Sequence, residues 1–158
     1  MLTKNISFEV VRGETVKITG LIMNNFPNKD NTWDDEFLES DPEHLADVFF
    51  LFKKIGYFGM NFTEDDPSER DWYFSDIKKN QGDLTWNLAD KDLYIPIYRS
   101  LYVYAADDDA PDTPQDFFFD TDFRGIINFS EHQNTKPSTI SFVDEQVGFD
   151  ITVMVEWP

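Results

Sequence analysis

The sequence predicts an α+β fold: a mainly antiparallel β-sheet, arranged as a sandwich or open barrel of about six or seven strands, with one principal α-helix packed on it. Apolar and polar residues alternate with a period of two in several separate stretches, the signature of half-buried strands. A single stretch carries apolar residues at spacings of three and four between recognisable start and stop signals. The composition, 41% hydrophobic and 16% aromatic, suits a packed core and excludes disorder as the main state despite 28% charge. At 158 residues the chain reads as a single globular domain spanning 1–158.

A hairpin is expected first. Ile6, Phe8 and Val10 alternate with Ser7 and Glu9, and after the turn signal of Arg12 and Gly13, Val16, Ile18 and Ile22 alternate with Thr15, Lys17 and Thr19. The segment that follows is rich in Asn, Pro and acids and reads as a connection pinned by Trp33 and Phe37. The helix is expected to start at Asp41, a good N-cap, with Pro42 at the first helical position and Glu43 near the positive end of the dipole. Leu45, Val48, Phe49, Phe52 and Ile55 form its apolar face, Phe50 and Leu51 widen it, Lys53 and Lys54 suit its negative end, and Gly56 stops it.

A weak strand is expected around 58–62, then the acidic loop TEDDPSERD, then alternation of Leu84, Trp86 and Leu88. In LYIPIYRSLYVY, Leu93, Ile95, Ile97, Leu101 and Val103 point one way, while Tyr94, Tyr98, Tyr102 and Tyr104 point the other. Pro96 marks an edge, a strand start or a bulge in that run. The C-terminal part supplies two more strands, around 139–143 and 147–157, the second with Val147, Phe149, Ile151, Val153, Val155 and Trp157 on one face.

The stretch DTDFRGIINFSE echoes a calcium-binding EF-hand loop, with Asp120, Asp122 and Glu131 as carboxylates, Gly125 at the turn and Ile127 after it. Such a loop needs a helix on either side. Here Pro137 follows within six residues of Glu131, and the fifth position, normally an oxygen ligand, is the cation Arg124. Alternation of Phe123, Gly125, Ile127 and Phe129 favours a strand. A different calcium site remains open if Asp107, Asp108, Asp109, Asp112, Asp116, Asp120 and Asp122 converge.

Charge narrows the function. Thirty-one Asp and Glu against thirteen Lys and Arg give a formal net charge of −18, which disfavours direct binding of nucleic acid or an anionic membrane and favours cations or a basic protein. The absence of cysteine removes disulfides, thiolate nucleophiles and Cys-ligated zinc. The first residues lack the apolar run of a signal peptide, so a cytoplasmic location is expected. With two histidines, His44 and His132, and no HExxH, phosphate-loop, dinucleotide or nucleophile-elbow motif, the sequence predicts no catalytic residue, metal or cofactor and favours binding over catalysis.

Three acidic segments adjoin aromatics: 34–43, 64–71 and 107–122. Carboxylates beside aromatic anchors make a mixture suited to tight protein recognition. The expected partner-binding residues are Asp34, Asp35, Glu36, Glu64, Asp65, Asp66, Trp72, Tyr73, Asp107, Asp108, Asp109 and Asp112. The expected function is an acidic binding protein that inhibits a basic partner by occlusion, as an immunity-type inhibitor of a nuclease toxin or a nucleic-acid mimic would. The alternative is a calcium-assisted or aromatic-lined carbohydrate-binding β-domain, with the tyrosine face of 94–104 as its platform. A third reading is an assembly protein.

Overall fold

Alternating strands of this kind can bury their apolar residues only against a second layer, and the computed structural model, which describes residues 14–27, 45–54, 71–107 and 123–158, supplies one. In chain order the described strands are β1 (Thr15–Asn25), β2 (Val48–Lys54), β3 (Asp71–Phe74), β4 (Thr85–Asn87), β5 (Tyr94–Pro96), β6 (Ser100–Asp107), β7 (Phe123–Asn128), β8 (Thr139–Asp144) and β9 (Phe149–Glu156). They pair antiparallel in two sheets. The first has the order β4-β1-β9-β8, with β5 also on β1, and the second the order β3-β2-β6-β7.

The expected principal helix is not there. Val48–Lys54, the heart of that expectation, is the strand β2, and among the described residues the helical pieces are short 3-10 turns at Lys79–Gln81 and Phe129–His132. The α+β expectation is therefore corrected: the described residues form a two-sheet antiparallel β-sandwich with no principal helix. The physical reason lies in VFFLF: Val48, Phe50 and Phe52 fill the space between the sheets, yet Phe49 and Leu51 on the opposite face are buried too. A strand buried on both faces loses its period-two signature, and a short apolar run cannot then be told from a buried helical turn by spacing. The cap residues Asp41 and Pro42, the first arm of the expected hairpin at 6–10 and the weak strand at 58–62 lie outside the described residues.

The core is the sum of the two inner faces. From the first sheet come Val16, Ile18, Leu21, Met23, Phe149, Ile151, Val153 and Val155; from the second come Val48, Phe50, Phe52, Leu101, Val103, Ala105 and Ile127, all buried. Trp86 of β4 meets Phe50 of β2 edge to face, centroids 5.0 Å and planes 87° apart, joining the two layers. In β1 the inward residues change parity. Ile18 faces Val155 and Gly20 faces Met154, so Thr19 is an extra residue, a β-bulge that turns Leu21 inward and leaves Ile22 outward. Ile22 had been expected on the inner side.

The run LYIPIYRSLYVY is two strands in different sheets. β5 ends at Pro96, the chain turns with Arg99 N–H donating to the Pro96 carbonyl at 2.9 Å, and β6 begins in the other sheet at Ser100. The EF-hand echo falls on β7, where Arg124, Gly125 and Ile127 sit in a ladder with β6.

Gly125 of β7 lies close against β8 and β9 of the other sheet. A Cβ there would lie 2.8 Å from Ile151 Cδ1 and 3.0 Å from Phe142 Cδ1. Both neighbours are packed into or against the core, so a methyl group has little room. Gly125→Ala is expected to lower stability by about 1–3 kcal/mol, and Gly125→Val by more, read as a fall in the urea midpoint at unchanged slope.

Candidate functional site

Strand direction decides which acidic segments meet. β1 ends at Asn25, β2 begins after Asp47, β6 ends at Asp107 and β7 begins at Phe123. Val48 is paired with Asp107, Ala105 with Phe123 and Asn25 with Asp150. Phe26 packs edge-on to Phe123 at 4.9 Å, and Phe123 stacks on Phe149 at 5.4 Å. These strand ends therefore share one end of the sandwich. The acidic segments 28–44 and 108–122 both depart from it. The segment 64–71 re-enters at Asp71, beside the far end of β2, where Lys53 faces Asp71. At roughly 3.3 Å per residue the two ends are on the order of 17 Å apart along β2.

Asp107 and Asp47 form the described centre of the acidic end. Asp107 Oδ1 accepts the Asp47 N–H at 2.6 Å, and Asp47 Oδ1 accepts the Asn80 N–H at 2.8 Å. Each carboxylate is thus oriented by a backbone amide. The Asn80 amide is presented by an unusual turn: Asn80 and Gln81 both have positive φ, 54° and 46°. That conformation is disfavoured for residues other than glycine, and it is held by Asp47, by Gln81 N–H donating to the Ala46 carbonyl at 2.7 Å, and by the reciprocal bonds of Lys78 and Val48. The β8–β9 turn adds Asp144 and the exposed Glu145 to this end, and its Gly148 carbonyl accepts Asn25 Nδ2 at 2.6 Å.

Of the expected partner-binding residues, Asp107 lies at this end, while Trp72 and Tyr73 lie on β3 toward the other. Both rings are half-buried and packed against the core, Tyr73 near Phe50 and Phe52 at 6.0 and 5.9 Å, and Trp72 near Phe52 at 6.2 Å. Asp34, Asp35, Glu36, Glu64, Asp65, Asp66, Asp108, Asp109 and Asp112 lie outside the described residues. Sequence reasoning missed Asp47, Asp144 and Glu145 because none sits in a dense acidic run. The signal for Asp47 was its place directly before an apolar run, once that run is read as a strand.

Among the described residues no group of three or more His, Asp or Glu side chains is arranged to hold a metal ion, and no helix is long and apolar enough to cross a membrane. Comparison of the chain with protein-family models, with curated proteins and with solved structures finds no match.

Two predictions follow from the geometry. Asp47→Ala removes the acceptor that holds the Asn80 amide and is expected to destabilise the fold by about 1–2 kcal/mol in urea denaturation, with the amides of Asn80 and Gln81 exchanging faster. Burial pushes the Tyr73 phenol above its usual range; Asp76 and Asp90 add to the rise, and Lys91 opposes it. Because the folded state holds that proton more tightly, this contribution to stability is complete below the ordinary tyrosine value of about 10 and disappears as pH climbs through the raised value. Tyr73→Phe should remove a late step from the ultraviolet phenolate titration and soften the alkaline fall in melting temperature.

Proposed function

We propose that this protein is a binding module that offers the loop-bearing end of its β-sandwich to a basic partner, and that it acts by occlusion as an immunity-type inhibitor of a nuclease toxin. The single observation that carries the reading is the meeting of Asp47 and Asp107 at the end from which the acidic segments 28–44 and 108–122 depart. Carboxylates fixed by backbone amides are preorganised acceptors for Lys and Arg, and a net charge of −18 speeds encounter with a cationic surface. The cationic groove that such an enzyme uses for phosphates is the complementary shape and charge. The proposal includes a cytoplasmic location, in line with a chain free of cysteine.

The test uses a basic nuclease encoded beside this chain. Its affinity should fall about tenfold or more between 50 and 300 mM salt, mainly through the association rate. The double change Asp107→Asn with Glu145→Gln should weaken binding further while the circular dichroism spectrum is unchanged. Affinity indifferent to both salt and these substitutions overturns the reading.

A second reading is favoured by the same oriented pair. Asp47 and Asp107 could contribute two of the six to eight oxygens that calcium takes, in a calcium-assisted binding domain. Calcium would then raise the melting temperature at millimolar concentrations, and Asp107→Asn would abolish the shift. An unchanged melting temperature removes this reading and leaves the first intact.

A further inference from the structure

β8 is the last strand of its sheet in the order β4-β1-β9-β8, and its two sides differ. Toward β9 the register is unbroken from Thr139 opposite Met154 to Asp144 opposite Phe149, and Val155 N–H donates to the Ser138 carbonyl at 2.9 Å. Ser138 and Val155 are therefore a hydrogen-bonded pair, and antiparallel ladders alternate such pairs with non-bonded ones. Ile140, Phe142 and Asp144 then turn their amides toward β9. Thr139, Ser141 and Val143 turn theirs outward, where no described strand pairs with them. All three side chains are exposed, Val143 to 54%.

Unpaired edge amides are a template for another strand, and edges are ordinarily guarded by Lys, Pro or a bulge. Thr139–Asp144 has none of these. The charge around it is equally distinctive. No Asp or Glu occurs from His132 to Val143, nor in β7, the neighbouring edge of the second sheet. The opposite flank, between β3 and β5, exposes Asp76, Asp83, Asp90 and Asp92. In a chain of net charge −18, a second equally acidic molecule therefore meets less repulsion along β8 than along that flank, while a basic partner finds little to attract it there.

The edge also matches itself. When β8 of two copies run antiparallel with Ser141 opposite Ser141, Thr139 of each stands opposite Val143 of the other. All three outward residues then form bonded pairs, about six hydrogen bonds in all. A shift of two residues loses a pair, and a shift of one sets outward amides against inward ones. The centred register also places Asp144 across from Ser138, so no acid of the strand faces an acid. We propose that two copies of this chain pair through β8, antiparallel about a twofold axis at Ser141, so that the first sheet runs on from one copy into the other.

Sedimentation equilibrium of the full chain tests this. The mass should rise toward twice that of the chain with concentration, and the dimer should tighten between 0.01 and 0.5 M salt as repulsion between the two net charges is screened. Ser141→Glu and Ser141→Lys each set like charges face to face across the axis, so both should weaken self-association about tenfold or more although they change the net charge in opposite directions. An equimolar mixture of the two variants should associate again, as a mixed pair. Ser141→Ala, which removes the bond between the Ser141 and Thr152 hydroxyls, should dimerise as the parent does. Because Ser141 is exposed, all three variants should keep the parent circular dichroism spectrum. A monomer at every concentration and salt overturns the proposal, as does parent-like dimerisation of either charged variant or failure of the mixture to associate. The salt response is opposite in sign to that expected for a basic partner at the acidic end, so the two readings fail separately.

Discussion

Phe50 pressed edge-on against Trp86 is the contact on which the two-layer arrangement turns. Its partners radiate into both sheets. Phe50 touches Phe52 at 4.7 Å within its own strand and lies near Tyr73 of the neighbouring one, while Trp86 is matched across the ladder with Leu21 of β1. The indole N–H donates to the Asp76 carbonyl at 3.0 Å, so the one polar atom of the buried ring is satisfied. A pair of this geometry adds about 0.5–1.5 kcal/mol beyond the burial of its area, and here it spans the two layers. At Gly125 the layers meet with no room for a methyl group.

The frame sorts the charges. Inner faces hold no buried polar or charged residue among those described, so every described acid is consigned to the outer faces and the ends. At one end Asp47 and Asp107 are held by amides, and the strained Asn80–Gln81 turn exists because that carboxylate is there to receive it. On the outer face of the second sheet, cations and phenols lie together instead.

Much of this was legible in the sequence where a strand has one wet face. Phe149, Ile151, Val153 and Val155 were read correctly from alternation alone, as was the burial of Trp86 and Leu88. Reading failed where that contrast is missing or reset. β2 is apolar on both faces and looked helical; Thr19 shifts the parity of β1 by one residue, which moved Leu21 in place of Ile22 to the interior. The passage from β5 to β6 was hidden for a subtler reason. Both strands point the same parity inward, so the alternation of Ile95, Ile97, Leu101 and Val103 runs on unbroken while the chain changes sheet. The acidic segments were plain in composition, but which of them meet depends on strand direction, and that is a property of pairing between distant residues.

The corner at Pro96 to Ser100 has a mechanical consequence. It links the sheets through a few residues, and Ile97 N–H is fastened to the Glu14 carbonyl at 3.1 Å. The sandwich is thus clamped at that end by the chain itself, while at the acidic end the packed rings of Phe26, Phe123 and Phe149 rivet one layer to the other. A covalent crossover at one mouth and an aromatic rivet at the other give the acidic segments a stiff rim to depart from.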